Sequence, residues 1–162
     1  MSDLDPENTL YLDIKPGRVV IQLFPDVAPM HVAQIKALVR RGFYDGTPFH
    51  RVIEGFMAQG GDPTGTGTGG SDLDNIRAEF SNAAKFTRGT CGMARSQSPH
   101  SANSQFFIMF EPAPHLNGQY TIWGQVVEGM EFVDQLKRGS GGGGTVADPD
   151  KIEKFSVAAD VA

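Results

Sequence analysis

The sequence predicts a mainly β domain, a sandwich or a barrel of short strands with two helices. Three observations lead there. Apolar and polar residues alternate over several short runs, only two stretches repeat at helical spacing, and Gly- or Pro-rich turn signals bound nearly every run. A closed barrel would hide both edges of its sheet, with helices plugging the ends, but periodicity alone does not choose between barrel and sandwich.

The elements follow in chain order. In TLYLDIK, Leu10, Leu12 and Ile14 alternate with Tyr11, Asp13 and Lys15; Pro16-Gly17 then turns the chain, and RVVIQLF alternates again through Val19, Ile21 and Leu23, which predicts a hairpin. From Pro29 to Arg40, Val32, Ile35, Leu38 and Val39 share one helical face, with Pro29 suited to a first turn and Gly42 to the exit. Phe49 to Met57 is apolar and aromatic with little periodicity, and DPTGTGTGGSD reads as a long surface loop. Cys91 to Ala94, Phe106 to Phe110 and Tyr120 to Val127 read as strands. Met130, Val133, Leu136 and Lys137 predict a second short helix from Met130 to Lys137, GSGGGGTVADPD a flexible loop, and Phe155 with Val157 a last strand. No repeat is visible, and the Gly-rich pieces are too short to separate domains, so residues 1–162 are expected to form one domain.

Composition removes whole classes of function. The chain has 40% apolar and 20% charged residues, and no stretch approaches the roughly 20 apolar residues of a membrane span. A net charge of −5 argues against a general electrostatic hold on nucleic acid. MSDLDPENTL carries acids and a Pro where a secretory signal would be basic and then apolar, and the one cysteine, Cys91, forms no internal disulfide; both point to the cytoplasm. Gly65, Gly67, Gly69 and Gly70 lack the Lys-Ser/Thr pair and following helix of a phosphate loop. His31, His50, His100 and His115 form no metal-binding spacing, so no metal or other cofactor is expected, and the GxSxG signature of one class of serine hydrolase is missing.

The informative stretches are FHRVIEGFMAQGGD (49–62) and SQFFIMF (104–110), with GFYDGTPFHRV, GTCGMAR and LNGQYTIWGQV in the same order along the chain. Together they resemble the cyclophilin family of peptidyl-prolyl cis-trans isomerases over almost the whole chain, from Thr9 to Val157. The resemblance implies a closed eight-stranded antiparallel β-barrel capped by two α-helices. It also implies an enzyme that speeds rotation about X-Pro bonds in polypeptides and so assists folding. Arg51 would be the catalytic cation and Gln59 the residue that orients it. Phe56, Met57, Phe107 and Leu116 would grip the proline ring, the Arg95 backbone and Gln105 side chain would hold the peptide ahead of it, and Ala94, His115 and Tyr120 would complete the rim. His50 belongs to the motif but is given a structural role, because turning an amide requires no proton transfer.

Read without the resemblance, the four pocket residues would be ordinary core, Arg51 a surface charge, and the two glutamines structural hydrogen-bonders. Three departures from common family patterns stand out. His115 replaces a tryptophan that many members carry before the leucine, Arg95 stands where many have Asn, and RSQSPHSANS is one residue longer than the eukaryotic pattern. The last two features together with His115 resemble bacterial members. Since that tryptophan is a main contact for cyclosporin in the family, weak cyclosporin binding is expected. The partners expected are proline-containing polypeptides, with the protein itself a monomer. A noncatalytic proline-peptide binding module and a chaperone are the alternatives; the module would not need the cation, which favours the enzyme.

Overall fold

The alternation at the head of the chain forms the expected hairpin. In the computed structural model, which describes residues 5–141 and 143–161, β1 (Thr9–Ile14) runs antiparallel to β2 (Gly17–Leu23) and pairs Leu10 with Ile21 and Leu12 with Val19. The readings made for residues 1–4 and for Gly142 lie outside the described residues. Helix α1 (Pro29–Arg40) buries Val32, Ile35, Leu38 and Val39, as their spacing predicts, and the chain leaves it through Gly42 at φ +73°, a left-handed turn that glycine makes without strain. Its first turn lacks a local side-chain cap. The Glu79 carboxylate supplies one from far along the chain, accepting the backbone N–H groups of Met30 and His31 at 3.0 and 2.8 Å.

Six further strands follow: β3 (Arg51–Ile53), β4 (Met57–Gly60), β5 (Thr90–Met93), β6 (Phe106–Met109), β7 (Ile122–Glu128) and β8 (Lys154–Val157). The aperiodic stretch 49–57 thus hides one strand and the start of another. Both faces of β4, β5 and β6 are covered, so the polar half of an alternating pattern is missing. Helix α2 is only Met130–Val133, shorter than the expected Met130–Lys137. Gln135 and Leu136 donate to carbonyls three residues back, so the chain tightens into turns that still bury Val133 and Leu136.

All ladders are antiparallel, and the sheet order is β3-β4-β6-β5-β7-β2-β1-β8. This corrects the expectation of a closed barrel: the sheet is a curled, open half-barrel, and among the described residues β3 and β8 share no ladder. The reason lies at β3. Its outer edge is already bonded to the glycine-rich run, with Val52 N–H donating to Gly144 O at 2.9 Å and Gly139 N–H donating to Val52 O at 2.8 Å. Short bridges lace the seam ahead of the two edge strands, Gly46 N–H to Ile152 O at 2.7 Å and Phe49 N–H to Asp150 O at 2.9 Å. Helix α1 packs on β8, and α2 on β2.

The sheet carries apolar material on both sides. Its concave side holds the main core, where Phe106 meets Tyr44, Phe49 and Trp123 edge-on at centroid distances of 5.5, 6.1 and 5.9 Å. A second cluster, built on Met57, Phe86, Phe107, Met109, Leu116 and Ile122, lies apart from it. Cutting Phe106 to Ala should therefore cost about 3–5 kcal/mol of stability. The urea midpoint measures this, and a loss below 1 kcal/mol would show that the ring is not central to the core.

Candidate functional site

Register between strands assembles the site. Arg51 lies opposite Gln59, Gln59 opposite Phe107, and Phe107 opposite Gly92, so one row of residues crosses β3, β4, β6 and β5. Residues paired across strands share a face of the sheet, and their neighbours Val52, Ala58, Ile108 and Cys91 belong to the core cluster on the other face. Gly92 is required by close approach: a Cβ there would lie 2.6 Å from Phe107 and 2.7 Å from Phe86. Phe107 stacks on Phe86 at 5.6 Å and meets Tyr120 edge-on at 5.7 Å, which fixes the ring as a pocket floor.

The result is a cavity of about 200 Å³ lined by Arg51, Phe56, Met57, Gln59, Ala94, Arg95, Phe107, Leu116 and Tyr120. Nine of the eleven residues singled out from the sequence meet there. Gln105 lines the adjoining cavity instead, and His115 lines neither. The His115 imidazole is exposed and stacks against Phe56 at 6.1 Å, so it touches the pocket only through that ring.

A polar chain crosses the face. Arg51 donates through Nε to Gly143 O at 2.9 Å and through Nη1 to Gln59 Oε1 at 3.1 Å. Gln59 Nε2 donates to Gln105 Oε1 at 2.9 Å, and Gln105 Nε2 donates to the carbonyls of Gly67 and Gly69 at 2.9 and 3.0 Å. The half-buried guanidinium is therefore held at the pocket lip with neutral partners, leaving three of its five N–H groups without a protein partner among the described residues. His50, beside it, is buried. Desolvation is the main cause keeping its pKa below the ordinary imidazole range, with the Asp62 charge opposing that and the Arg51 charge adding to it.

Sequence reasoning missed Asp62. The loop DPTGTGTGGSD winds around this buried carboxylate, which accepts from Thr64 N and Oγ1 at 2.8 Å each, from Gly67 N at 2.6 Å and from Gly69 N at 3.1 Å. Most of its donors are backbone groups, which leave no mark in a sequence. The loop is the wall to which Gln105 is tied, and it borders a cavity of about 540 Å³ that shares Gln59, Ala94 and Arg95 with the smaller one. Burial works to raise the Asp62 pKa, but the donated hydrogen bonds outweigh it and bring the group down to about 2.

The smaller cavity thus sets the apolar side chains of Phe56, Met57, Phe107 and Leu116 beside an arginine at its lip. Comparison with known proteins gives the family. The model for cyclophilin type peptidyl-prolyl cis-trans isomerase/CLD matches residues 9–157. A probable peptidyl-prolyl cis-trans isomerase of Brucella suis is 56% identical over 98% of this chain and 87% of the relative. Peptidyl-prolyl cis-trans isomerase B of Bacillus subtilis is 44% identical over 81% and 92%. The crystal structure of a Cryptosporidium parvum cyclophilin, solved in the presence of the dipeptide Ala-Pro, superposes with a TM-score of 0.85 at 33% identity, covering 92% of this chain and 98% of that one. The chain belongs to the cyclophilin-type peptidyl-prolyl cis-trans isomerases, and its activity is the isomerisation of X-Pro peptide bonds.

Replacing Asp62 by Asn would put an amide N–H among the donors that the carboxylate now accepts. The variant should lose about 1–3 kcal/mol. The native carboxylate stabilises fully above its unfolded value near 3.8 and ceases to do so as pH falls through about 2. Urea titrations should show the difference between wild type and variant constant above about pH 5 and shrinking across that acid window; a pH-independent gap would refute the assignment.

Proposed function

We propose that Arg51 lowers the rotational barrier by donating a hydrogen bond to the prolyl nitrogen as it leaves planarity. Rotation costs roughly 18–20 kcal/mol because resonance gives the C–N bond double-bond character. At the top of the barrier that resonance is lost, and the nitrogen carries a localised lone pair, which a cationic donor favours over the flat ground state. Guanidinium suits this because it stays charged and has no proton to lose at working pH. The observation that carries the reading is the Arg51 side chain at the lip of the apolar cavity, aimed by Gln59 and backed by Gly143 O.

The proline ring enters the slot between Phe56, Met57, Phe107 and Leu116, with Tyr120 and Ala94 at its rim. The residues ahead of the proline run past the Arg95 backbone and Gln105, so one side of the amide is held while the other turns. The Ala-Pro dipeptide used with the Cryptosporidium cyclophilin supports this substrate class. The physiological substrates are then proline-containing polypeptides whose folding waits on isomerisation, a process of tens to hundreds of seconds when uncatalysed. We place this work in the cytoplasm, a reading supported by the single buried cysteine, and assign it to a monomer.

A charge-assisted hydrogen bond made mainly in the twisted state contributes about 1.5–3 kcal/mol, so Arg51→Ala should lower kcat/KM about ten- to a hundredfold. Exchange NMR on an X-Pro peptide measures it, and undiminished turnover in the folded variant would reject the role. Cyclosporin should bind weakly, because the exposed His115 imidazole offers less apolar area than an indole and holds water more strongly. Titration calorimetry returning nanomolar affinity would refute this.

A further inference from the structure

Arg95 occupies the wall common to both cavities, and its surroundings set its charge apart from most others in the molecule. The guanidinium carbon lies 4.7 Å from the Tyr120 ring centroid and 5.9 Å from that of Phe80. Its Nε and Nη2 donate to Gln119 O at 3.2 and 2.7 Å, and Nη1 donates to Ser96 O at 2.9 Å and Gln97 O at 3.4 Å. Aromatic faces and carbonyls fix its position, and one Nη2 hydrogen is left without a protein partner among the described residues. All of these partners are neutral. Elsewhere, Arg18, Arg40, Arg41, Arg88 and Arg138 each sit in an ion pair, but among the described residues Arg95 has none.

The larger cavity next to it is polar. Hydroxyls and amides from Ser71, Ser96, Ser101 and Asn103 line it together with loop backbone; among the described residues Arg95 is its one charged lining residue, and no carboxylate lines it. The loop's own acids are occupied, since Asp62 is buried by its four hydrogen bonds and Asp72 pairs with Arg41 at 2.9 Å. The smaller cavity repeats the pattern with Arg51 and Arg95 and again no acid. In a chain of net charge −5, the charged residues that line the cleft, among those described, are thus both cations.

In an extended peptide, side chains two positions apart project to the same side, about 6.7 Å from one another. With the proline ring in the smaller cavity, the side chain two places earlier faces the larger one across the Ala94–Arg95 wall. We propose that Arg95 makes this isomerase prefer a carboxylate-bearing residue two positions before the proline. The proposal rests on the peptide path given under Proposed function. Arg95 acts as a specificity-determining residue, supplying attraction to the bound chain rather than touching the turning bond. Its effect therefore falls on KM and leaves kcat similar, because the contact is the same in ground and transition states.

The test uses three peptides identical except for Glu, Gln or Lys two positions before the proline, with isomerisation read by exchange NMR. At low salt, kcat/KM should be about two- to fivefold higher for Glu than for Gln and lower again for Lys, as expected of an exposed ion pair. The spread should narrow as salt is raised. In R95Q the Glu-to-Gln ratio should fall to about one, and R95K, which keeps the charge, should retain part of it; circular dichroism confirms that both fold. Equal rates for the Glu and Gln peptides at low salt, or a ratio unchanged in folded R95Q, would overturn the proposal. If no peptide is turned over, the catalytic reading fails instead, and the same ratios taken as affinities by titration calorimetry decide the charge preference.

Discussion

The register between β3, β4 and β6 is the constraint on which the site depends. Because side chains alternate across a strand, a slip of one residue would send Arg51, Gln59 and Phe107 into the core and bring Val52, Ala58 and Ile108 out. Both outcomes would be ruinous, since the slip would bury a cation and expose three apolar side chains. Burial on the concave side therefore fixes the geometry on the other. The second apolar cluster can then be open at one side, as a binding surface must be, without the fold relying on its closure.

Much of the outline was legible in the sequence. Strands with one polar side announced themselves by alternation, as β1 and β2 do through Leu10, Leu12, Val19 and Ile21. β3 and β4 did not: β3 is only Arg51–Ile53, too short to show a period, and β4 is covered on both faces, which removes the alternating signal. Closure of the sheet was a property borrowed from the family, and the bonds from Val52 to Gly139 and Gly144 show why the edge of β3 pairs otherwise.

The site was legible through its motifs, and nine of the expected residues do converge on one cavity. What stayed hidden depended on backbone donors or on distance along the chain. Asp62 looked like the start of a glycine-rich loop and is instead the centre that the loop wraps. Glu79 looked like one acid among many and caps a helix that starts at Pro29. His115 was expected at the rim by position alone; its imidazole is exposed and stacks on Phe56, a residue that does line the cavity.

The glycine-rich run beside Arg51 bears on how this domain could be engineered. By composition it resembles a spacer into which an affinity tag or a fluorophore-bearing loop could be spliced. Yet it borders β3 through Val52 and meets the Arg51 side chain through Gly143 O. A Cβ at Gly139 would run into the Gly144 carbonyl, and one at Gly144 into Ile53. Lengthening or decorating this run would therefore act first on the edge of β3 and on the carbonyl that holds the Arg51 side chain, rather than on the core.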